Sequence, residues 1–325
     1  MYARISSQCH NGLNMKTLCL AVCMALAAQA HEVKSLKVKI LSTMLADGAG
    51  YGEWGFAALV EVDGRKILFD TGAHPNTVLN NLPELKVDLS DVEEVILSHH
   101  HYDHTAGLVR LREEMSKKNP KALQTAHIGQ GAFIPRNDIE GKRMLYIKRG
   151  YEQAGGNFIE YTEPKEIHPG VWLTGLIPRK YPERNWSGSR KLVMPDGSTP
   201  EDNLPEDMTL VIETSKGLVV IAGCSHAGIV NILEHARTKI RKDAPIHAAI
   251  GGLHLFNATD ETLRWTATKF REFGLQNLLG AHCTGIEAVY KLRELTGLGR
   301  KTAAVGALGG GFDLATGLDP GTIAR

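Results

Sequence analysis

Metal-binding side chains are concentrated in residues 99–104, which have the sequence HHHYDH. The segment directly follows an apolar stretch that is typical of a strand. In an extended or turning segment, residues two apart share a side, so His99 and His101 can hold one metal ion. Asp103 and His104 lie past the bend and can reach a second one. The alternative, a polar surface loop, leaves four ligand-type side chains without another use.

Three later motifs contain histidine and also follow predicted strands; they are GCSH at 223–226, GGLH at 251–254 and HCTG at 282–285. His226 lies two residues after Cys224 and can face the same way, so we expect a metal ligand rather than a structural histidine. His254 follows two glycines, whose missing side chains let a ligand approach the backbone. We consider two roles for His254: a proton donor or substrate contact, or a core histidine with satisfied hydrogen bonds.

Alternating strand and helix patterns must position these motifs. Hairpins are predicted at 56–69 and 209–222, strands at 36–40, 95–97, 246–250 and 277–279, and helices near 228–240, 261–273 and 287–295. A glycine-rich strand is predicted at 302–314. An irregular insertion that supplies pocket walls is predicted at 127–205. In a layered α/β protein, strands that end in His or Asp gather these side chains along one edge of the sheets.

Composition limits the classes of protein to which this chain can belong. With 325 residues, 43% of them hydrophobic and 22% charged, the chain can bury a full-sized core and is neither disordered nor a coiled coil. The formal net charge of +1 gives no electrostatic basis for binding nucleic acid or an anionic membrane. We therefore expect a small-molecule substrate, with no nucleic-acid or membrane partner, and the sequence leaves the oligomeric state open.

The N-terminal segment has the pattern of a secretory signal peptide. A lysine precedes an apolar run, and a small-x-small cleavage motif ends at Ala30. The signal would occupy 1–30, or begin at Met15, and would leave 31–325 as a single domain in the periplasm or outside the cell. A buried N-terminal helix or a membrane anchor is the alternative.

The motifs together resemble the metallo-β-lactamase fold superfamily. Within it, the chain resembles the branch of 7,8-dihydropterin-6-methyl-4-(β-D-ribofuranosyl)-aminobenzene-5′-phosphate synthase-like metallo-hydrolases. The motifs that carry this resemblance are LSHHHYDHTAG at 97–107, GCSHAG at 223–228, GGLHL at 251–255 and HCTG at 282–285. The likeness covers about 36–110 and 206–290 well and 127–205 poorly. It implies an α/β fold of four layers, an αββα sandwich, with the metal site at one edge of the two sheets.

The resemblance also implies roles for individual residues. His99 and His101 match the ligands of the first metal ion. Asp103 and His104 match the ligands of the second metal ion. His282, which follows a late strand, matches the last ligand of the family.

Three positions leave alternatives open. Cys224 stands where many relatives carry an Asp that bridges the metal ions; a thiolate suits zinc there, and a small buried Cys is the alternative. A ligating histidine that relatives often carry upstream is missing, so either His226 or Asp207 replaces it; we favour His226 and keep Asp207 as a ligand or as a residue that orients one. Asp70 resembles a family Asp that holds a ligand histidine by a hydrogen bond, or it only stabilises a turn. Because Cys224 and Cys283 both lie beside histidines, we expect both of them to be site residues rather than partners in a disulfide.

The chemistry that this resemblance implies is hydrolysis. Two metal ions that share a bridging hydroxide supply a nucleophile at neutral pH and stabilise a developing oxyanion, which suits an ester, a lactone or a phosphodiester. Two Zn²⁺ ions fit the His, Asp and Cys ligand set, and iron or manganese would accept most of it. Asp103 would orient the hydroxide, and His254 would act as the proton donor or contact the substrate.

The family name and the predicted signal peptide indicate different substrates. A pterin-forming reaction needs intracellular phosphorylated precursors, whereas a signal peptide directs the chain across a membrane. We therefore expect a secreted or periplasmic dinuclear-metal hydrolase whose substrate the sequence does not identify. The alternatives are a mononuclear iron oxidoreductase on the same fold and a non-catalytic, metal-stabilised binding protein.

Overall fold

The computed structural model describes residues 32–48 and 50–324 of the chain. The signal peptide predicted for residues 1–30 lies outside the described residues and stays a prediction. Within the described ranges, no helix has both the length and the apolar character that crossing a membrane requires.

The described residues form strands in two sheets, with helices between many of them. The strands are β1 (Leu36–Ser42), β2 (Ala57–Val62), β3 (Arg65–Phe69), β4 (Glu94–Leu97), β5 (Thr125–Gly129), β6 (Asn157–Tyr161), β7 (Lys165–His168), β8 (Val171–Leu173), β9 (Leu210–Thr214), β10 (Gly217–Ala222), β11 (Ile246–Gly251), β12 (Asn277–Gly280), β13 (Ala303–Val305), β14 (Gly311–Asp313) and β15 (Gly317–Asp319). The helices are α1 (Thr77–Leu85), α2 (Tyr102–Thr105), α3 (Leu108–Ser116), α4 (Ile139–Gln153), α5 (Ile229–Lys239), α6 (Asp260–Glu272) and α7 (Ile286–Thr296), with 3₁₀ turns at His282–Thr284 and Thr322–Ala324.

Each sheet combines an antiparallel half with a parallel half. The first sheet has the order β15-β14-β1-β2-β3-β4-β5-β6 and is parallel from β3 to β6. The second has the order β13-β12-β11-β10-β9-β8-β7 and is parallel from β13 to β10. Because parallel neighbours need a crossover connection, a helix follows each parallel strand that leads to the next one.

Three apolar clusters show how the layers pack. One fills the space between the sheets and includes Ile40 and Val219. A second lies between the second sheet and helices α5 to α7, and a third lies between the first sheet and helices α1, α3 and α4. Strand β10 is buried along its whole length; Val219 belongs to the cluster between the sheets, whereas its neighbours Leu218 and Val220 face the helices. The four-layer αββα sandwich that the sequence predicted is confirmed.

The predicted irregular insertion at 127–205 needs correction, because its first half is regular. It contains most of β5, helix α4 and strands β6 to β8, which extend both sheets. Helix α4 escapes sequence reasoning because two glycines interrupt it, although Asp138 caps it by accepting a hydrogen bond from Gly141 N at 3.0 Å. Its second half is irregular: residues 174–209 connect β8 to β9 and contain no helix or strand.

The prediction of a single glycine-rich strand at 302–314 is also wrong, because two strands lie in this range. Strand β13 pairs with β12 in the second sheet, whereas β14 pairs with β1 in the first. Between them the chain crosses from one sheet to the other through a turn in which Gly309 has a φ of 76°, a conformation that favours glycine. A run of glycines has no hydrophobic period, so the sequence does not show this break.

Candidate metal centre

Apart from Asp207, which precedes β9, the candidate site residues lie just after strands at one edge of the two sheets. Asp70 follows β3, and residues 99–104 follow β4, its parallel neighbour in the first sheet. Cys224 and His226 follow β10, whereas His254 and His282 follow β11 and β12, in the parallel half of the second sheet. Because parallel strands end at the same sheet edge, the fold brings these side chains into one cleft.

Potential ligand atoms form two main clusters in this cleft, and within each cluster they lie within 4.8 Å of one another. We call the first, His99, His101 and His226, the histidine cluster. We call the second, Asp103, His104, Cys224 and His282, the mixed cluster. Cys224, His226 and His254 also meet the same distance limit, so Cys224 and His226 connect the two clusters.

The histidine cluster presents imidazole nitrogens to one another. The ring centroids of His99 and His226 are 4.7 Å apart, and those of His101 and His226 are 4.8 Å apart. The buried Nε2 atoms of His99 and His226 have no hydrogen-bond partner among the described residues, an unfavourable state for a polar atom. Burial and the neighbouring histidines lower the pKa of all three side chains well below the usual value. The neutral imidazoles, with the unpartnered Nε2 atoms of His99 and His226, fit a metal cation.

The mixed cluster combines an acid, two histidines and a thiol. His104 Nε2 lies 3.1 Å from Cys224 Sγ, and His282 Nε2 lies 3.2 Å from Asp103 Oδ2. Burial opposes ionisation of Asp103, but His104 and His282 outweigh it, so the pKa of Asp103 falls below its usual value. Burial also opposes the charge on His104, yet Asp70 and Asp103 raise its pKa to about 9. The carboxylate oxygen, the sulfur and the imidazole nitrogens of this cluster suit a divalent cation.

One carboxylate fixes the orientation of a histidine in each cluster. Asp70 Oδ2 accepts hydrogen bonds from His104 Nδ1 at 2.7 Å and from Ser98 Oγ at 2.8 Å. Since the Ser98 hydroxyl donates to Asp70, it accepts from His99 Nδ1 at 2.9 Å. Both histidines therefore donate from Nδ1, so that the neutral form of each ring turns the Nε2 lone pair towards a cluster. Of the two roles considered for Asp70, the structure shows the hydrogen bond to a candidate ligand histidine.

A glycine makes room for this hydrogen-bond network. A Cβ atom on Gly223 would lie 2.0 Å from Ser98 Oγ and 2.6 Å from Asp70 Oδ2, far inside van der Waals contact. The glycine before Cys224 is therefore a steric requirement of the network around Asp70.

Asp207 is not brought into either cluster of the described residues. Its Oδ2 accepts a hydrogen bond from Ala227 N at 2.7 Å, in the loop that carries Cys224 and His226. Burial raises the pKa of Asp207 to about 7. The structure thus places Asp207 behind the loop, where it fixes the backbone next to His226.

His254 lies at the boundary between the metal cleft and a larger cavity. Its ring centroid is 4.7 Å from that of His226 and 5.4 Å from that of Phe256. Its buried Nδ1 has no hydrogen-bond partner in the described part of the chain. His254 is therefore not a core histidine with satisfied hydrogen bonds, and it faces the space that a substrate would enter.

The connection between β8 and β9 covers the site and supplies residues that sequence reasoning missed. Arg190 Nη1 lies 2.8 Å from His101 Nε2, and the Asn185 carbonyl accepts a hydrogen bond from His226 Nδ1. The connection borders a cavity of about 700 Å³ together with the loop after β11, and a second cavity of about 330 Å³ lies over the mixed cluster. Its sequence signal is a group of three arginines around a single Trp, between two site motifs.

Comparison with known proteins agrees with this geometry. Residues 55–173 match the family model of the metallo-β-lactamase superfamily. A protein of Methanocaldococcus jannaschii named 7,8-dihydropterin-6-methyl-4-(beta-D-ribofuranosyl)-aminobenzene-5′-phosphate synthase is 31% identical over 261 residues, 76% of this chain and 87% of that protein.

Two solved structures have the same architecture. Tm1679, described as a metal-dependent hydrolase of the β-lactamase superfamily, is 27% identical, with a TM-score of 0.63 over 80% of this chain and 93% of that one. The metallo-β-lactamase fold protein YhfI from Bacillus subtilis is 17% identical, with a TM-score of 0.51 over 86% of this chain and 99% of that one. The family predicted from the motifs is therefore confirmed, and the chain belongs to the metallo-β-lactamase superfamily, in the branch that contains the archaeal synthase.

Proposed function

We propose that this protein is a dinuclear-metal hydrolase that cleaves an ester, a lactone or a phosphodiester. The observation that carries the proposal is the pair of ligand clusters side by side in one cleft, with buried nitrogens that have no protein partner in the described chain. The archaeal relative is named as a synthase and Tm1679 as a hydrolase, so the choice of hydrolysis rests on the residues of this chain. The secreted or periplasmic location is part of the proposal and is supported only by the sequence pattern before residue 31.

The clusters define which residues would hold each ion. His99, His101 and His226 would bind the first metal ion. Asp103, His104 and His282 would bind the second, and Cys224 would take the place of the bridging carboxylate because it connects both clusters. Zinc suits this set of imidazole, carboxylate and thiolate ligands, while iron or manganese would accept most of it.

The protein side chains around the clusters supply the remaining parts of the reaction. When bound, the metal pair lowers the pKa of a water molecule and neutralises charge on the leaving oxygen. The Asp103 side chain is 23% exposed and borders the cleft, so its carboxylate can accept a hydrogen bond from that water and orient it. His254 faces the larger cavity and would donate a proton to the leaving oxygen.

Metal stoichiometry tests the proposal together with a substrate panel. The purified chain, reconstituted with zinc, should bind two ions, whereas His226→Ala and His104→Ala should each bind one fewer. His168→Ala is the matched control, because His168 pairs with Glu94 at the opposite end of β4 from the site. A panel of phosphodiesters, lactones and β-lactams should give activity that depends on both ions.

Each alternative function makes a different prediction in the same experiment. One iron ion per chain and no zinc would favour the mononuclear oxidoreductase. Two ions with no hydrolysis, and a His104→Ala variant that keeps fold and binding, would favour the binding protein. One ion or none after reconstitution would contradict the dinuclear mechanism.

A further inference from the structure

Two thiols lie next to each other at the base of the candidate metal centre. Cys224 Sγ and Cys283 Sγ are 3.2 Å apart, and both cysteines are free and buried in the described structure. A disulfide requires the two sulfurs to approach to about 2 Å, so a shift of roughly 1 Å would join them. The pair is therefore close to bonding distance without being bonded.

The two cysteines have different relations to the metal-binding residues. Cys224 belongs to the mixed cluster, where its sulfur lies 3.1 Å from His104 Nε2. Cys283 belongs to neither cluster of the described residues, although it touches Cys224. Cys283 can thus react with a candidate ligand without being one itself.

The fold holds the pair together and leaves it accessible to small molecules. Cys224 follows β10 and Cys283 lies in the 3₁₀ turn after β12, so β11 separates the strands that carry them. A Cβ atom on Gly252, which follows β11, would lie 2.9 Å from Cys283 Sγ, so a glycine there gives the sulfur its space. Both cysteines border the cavity of about 330 Å³, which a molecule as small as hydrogen peroxide can enter.

We propose that Cys224 and Cys283 form a redox-modification site, in which hydrogen peroxide converts the two thiols to a disulfide and removes Cys224 from the metal centre. Peroxide first oxidises one thiol to a sulfenic acid and releases one water. The second sulfur then displaces the hydroxyl group, which leaves with the remaining thiol proton as a second water. Two electrons pass from the sulfurs to the peroxide oxygens, and one S–S bond replaces two S–H bonds.

The consequence for metal binding depends on the proposed function of the site. A thiolate is the metal-binding form of cysteine, and a disulfide sulfur carries no such charge. Oxidation would leave the mixed cluster with Asp103, His104 and His282, and its affinity for a metal ion would fall. A metal ion bound to Cys224 would in turn slow the oxidation, since the sulfur lone pair is occupied.

Peptide mass mapping and Zn²⁺ titration of the full chain test this proposal. The metal-free chain is treated with hydrogen peroxide, and Zn²⁺ capacity is measured with a competing chromophoric chelator before and after. We expect a peptide pair joined through residues 224 and 283 with the loss of two hydrogen atoms, and the loss of one Zn²⁺ site. Dithiothreitol should restore both the thiols and the Zn²⁺ site, and the Zn²⁺-loaded chain should crosslink more slowly.

Cys283→Ser is the key comparison, with Cys283→Ala as a second variant in case the first does not fold. Either variant should keep the full Zn²⁺ capacity before oxidation and form no crosslink. Under excess peroxide its Cys224 has no second thiol to displace the hydroxyl group of the sulfenic acid, so a second peroxide should oxidise it to the sulfinic acid and the second site should be lost irreversibly. The proposal is overturned if the wild-type chain forms no crosslink, if it crosslinks without losing Zn²⁺ capacity, or if wild type and variant lose that capacity equally and irreversibly. A chain that binds no Zn²⁺ before oxidation overturns the proposed function and the metal release, while the mass of the peptide pair still decides the crosslink.

Discussion

Replacement of Asp70 by Asn tests how one carboxylate holds both clusters. Asp70 Oδ1 accepts from Ser98 N at 2.7 Å, and Oδ2 accepts from Ser98 Oγ and His104 Nδ1. Asparagine keeps the size of the side chain but replaces one acceptor oxygen by a donor. If the amide nitrogen faces His104, the histidine must carry its proton on Nε2, the atom that faces Cys224. If it faces the other way, two donors meet at Ser98 N.

The magnitude follows from the role of such supporting hydrogen bonds. Loss of a partner that orients a metal-bound histidine lowers metal affinity about 10- to 100-fold, which is about 1.4 to 2.7 kcal/mol. Because Ser98 relays the bond to His99, Asp70→Asn should weaken both sites. Ser98→Ala removes the acceptor for His99 Nδ1 and one donor to Asp70 but keeps the bond between His104 Nδ1 and Asp70, so it should weaken the histidine cluster more than the mixed cluster.

Competitive Zn²⁺ titration with a chromophoric chelator measures both affinities. Asp313→Asn is the matched control, because Asp313 accepts hydrogen bonds from Ala315 N and Thr316 N in an exposed turn. The control should keep both affinities. Unchanged Zn²⁺ binding in Asp70→Asn, or an equal loss in the control, would refute the argument that Asp70 fixes the two histidines.

Three further predictions concern the residues around the site. Gly223→Ala should lose Zn²⁺ binding and about 1 to 3 kcal/mol of unfolding free energy, because the added Cβ meets Ser98 and Asp70. Urea unfolding measures the stability, and a variant with wild-type stability and wild-type Zn²⁺ binding would contradict this prediction. Arg136→Met should lower the unfolding free energy by about 3 to 5 kcal/mol, because it leaves the buried carboxylate of Asp202 without its ion-pair partner at 2.7 Å and leaves Glu206 with His100 alone; a loss below about 1 kcal/mol would argue against it. Burial raises the pKa of Glu183 to about 7, so its contribution to stability is full below its unfolded pKa and is lost as the pH rises through 7. Relative to Glu183→Gln, the metal-free wild type should therefore lose on the order of 2 kcal/mol between pH 5 and pH 8 in urea titrations, and parallel pH profiles would contradict it.

The parts of the site that sequence reasoning anticipated depend on local geometry. The period of two places His99 and His101 on one side, and the bend at the start of α2 separates Asp103 from them; the structure places them in different clusters. The same rule places Cys224 and His226 on one side of their loop. Such spacing survives folding because it depends on the backbone of one short segment.

The parts that it did not anticipate depend on distant segments. The position of Asp207 outside both clusters of the described residues depends on the packing of the segment before β9 behind the loop after β10, which no single segment encodes. Arg190 and Asn185 belong to a connection without hydrophobic period, so neither strand nor helix logic could place them. The contact between Cys224 and Cys283 joins loops 59 residues apart in sequence.

Anomalous X-ray scattering from a crystal of the zinc-loaded chain tests the central claim most directly. We expect two zinc peaks in the cleft, one among His99, His101 and His226 and the other among the residues of the mixed cluster. A single peak, or peaks outside these two clusters, would contradict it.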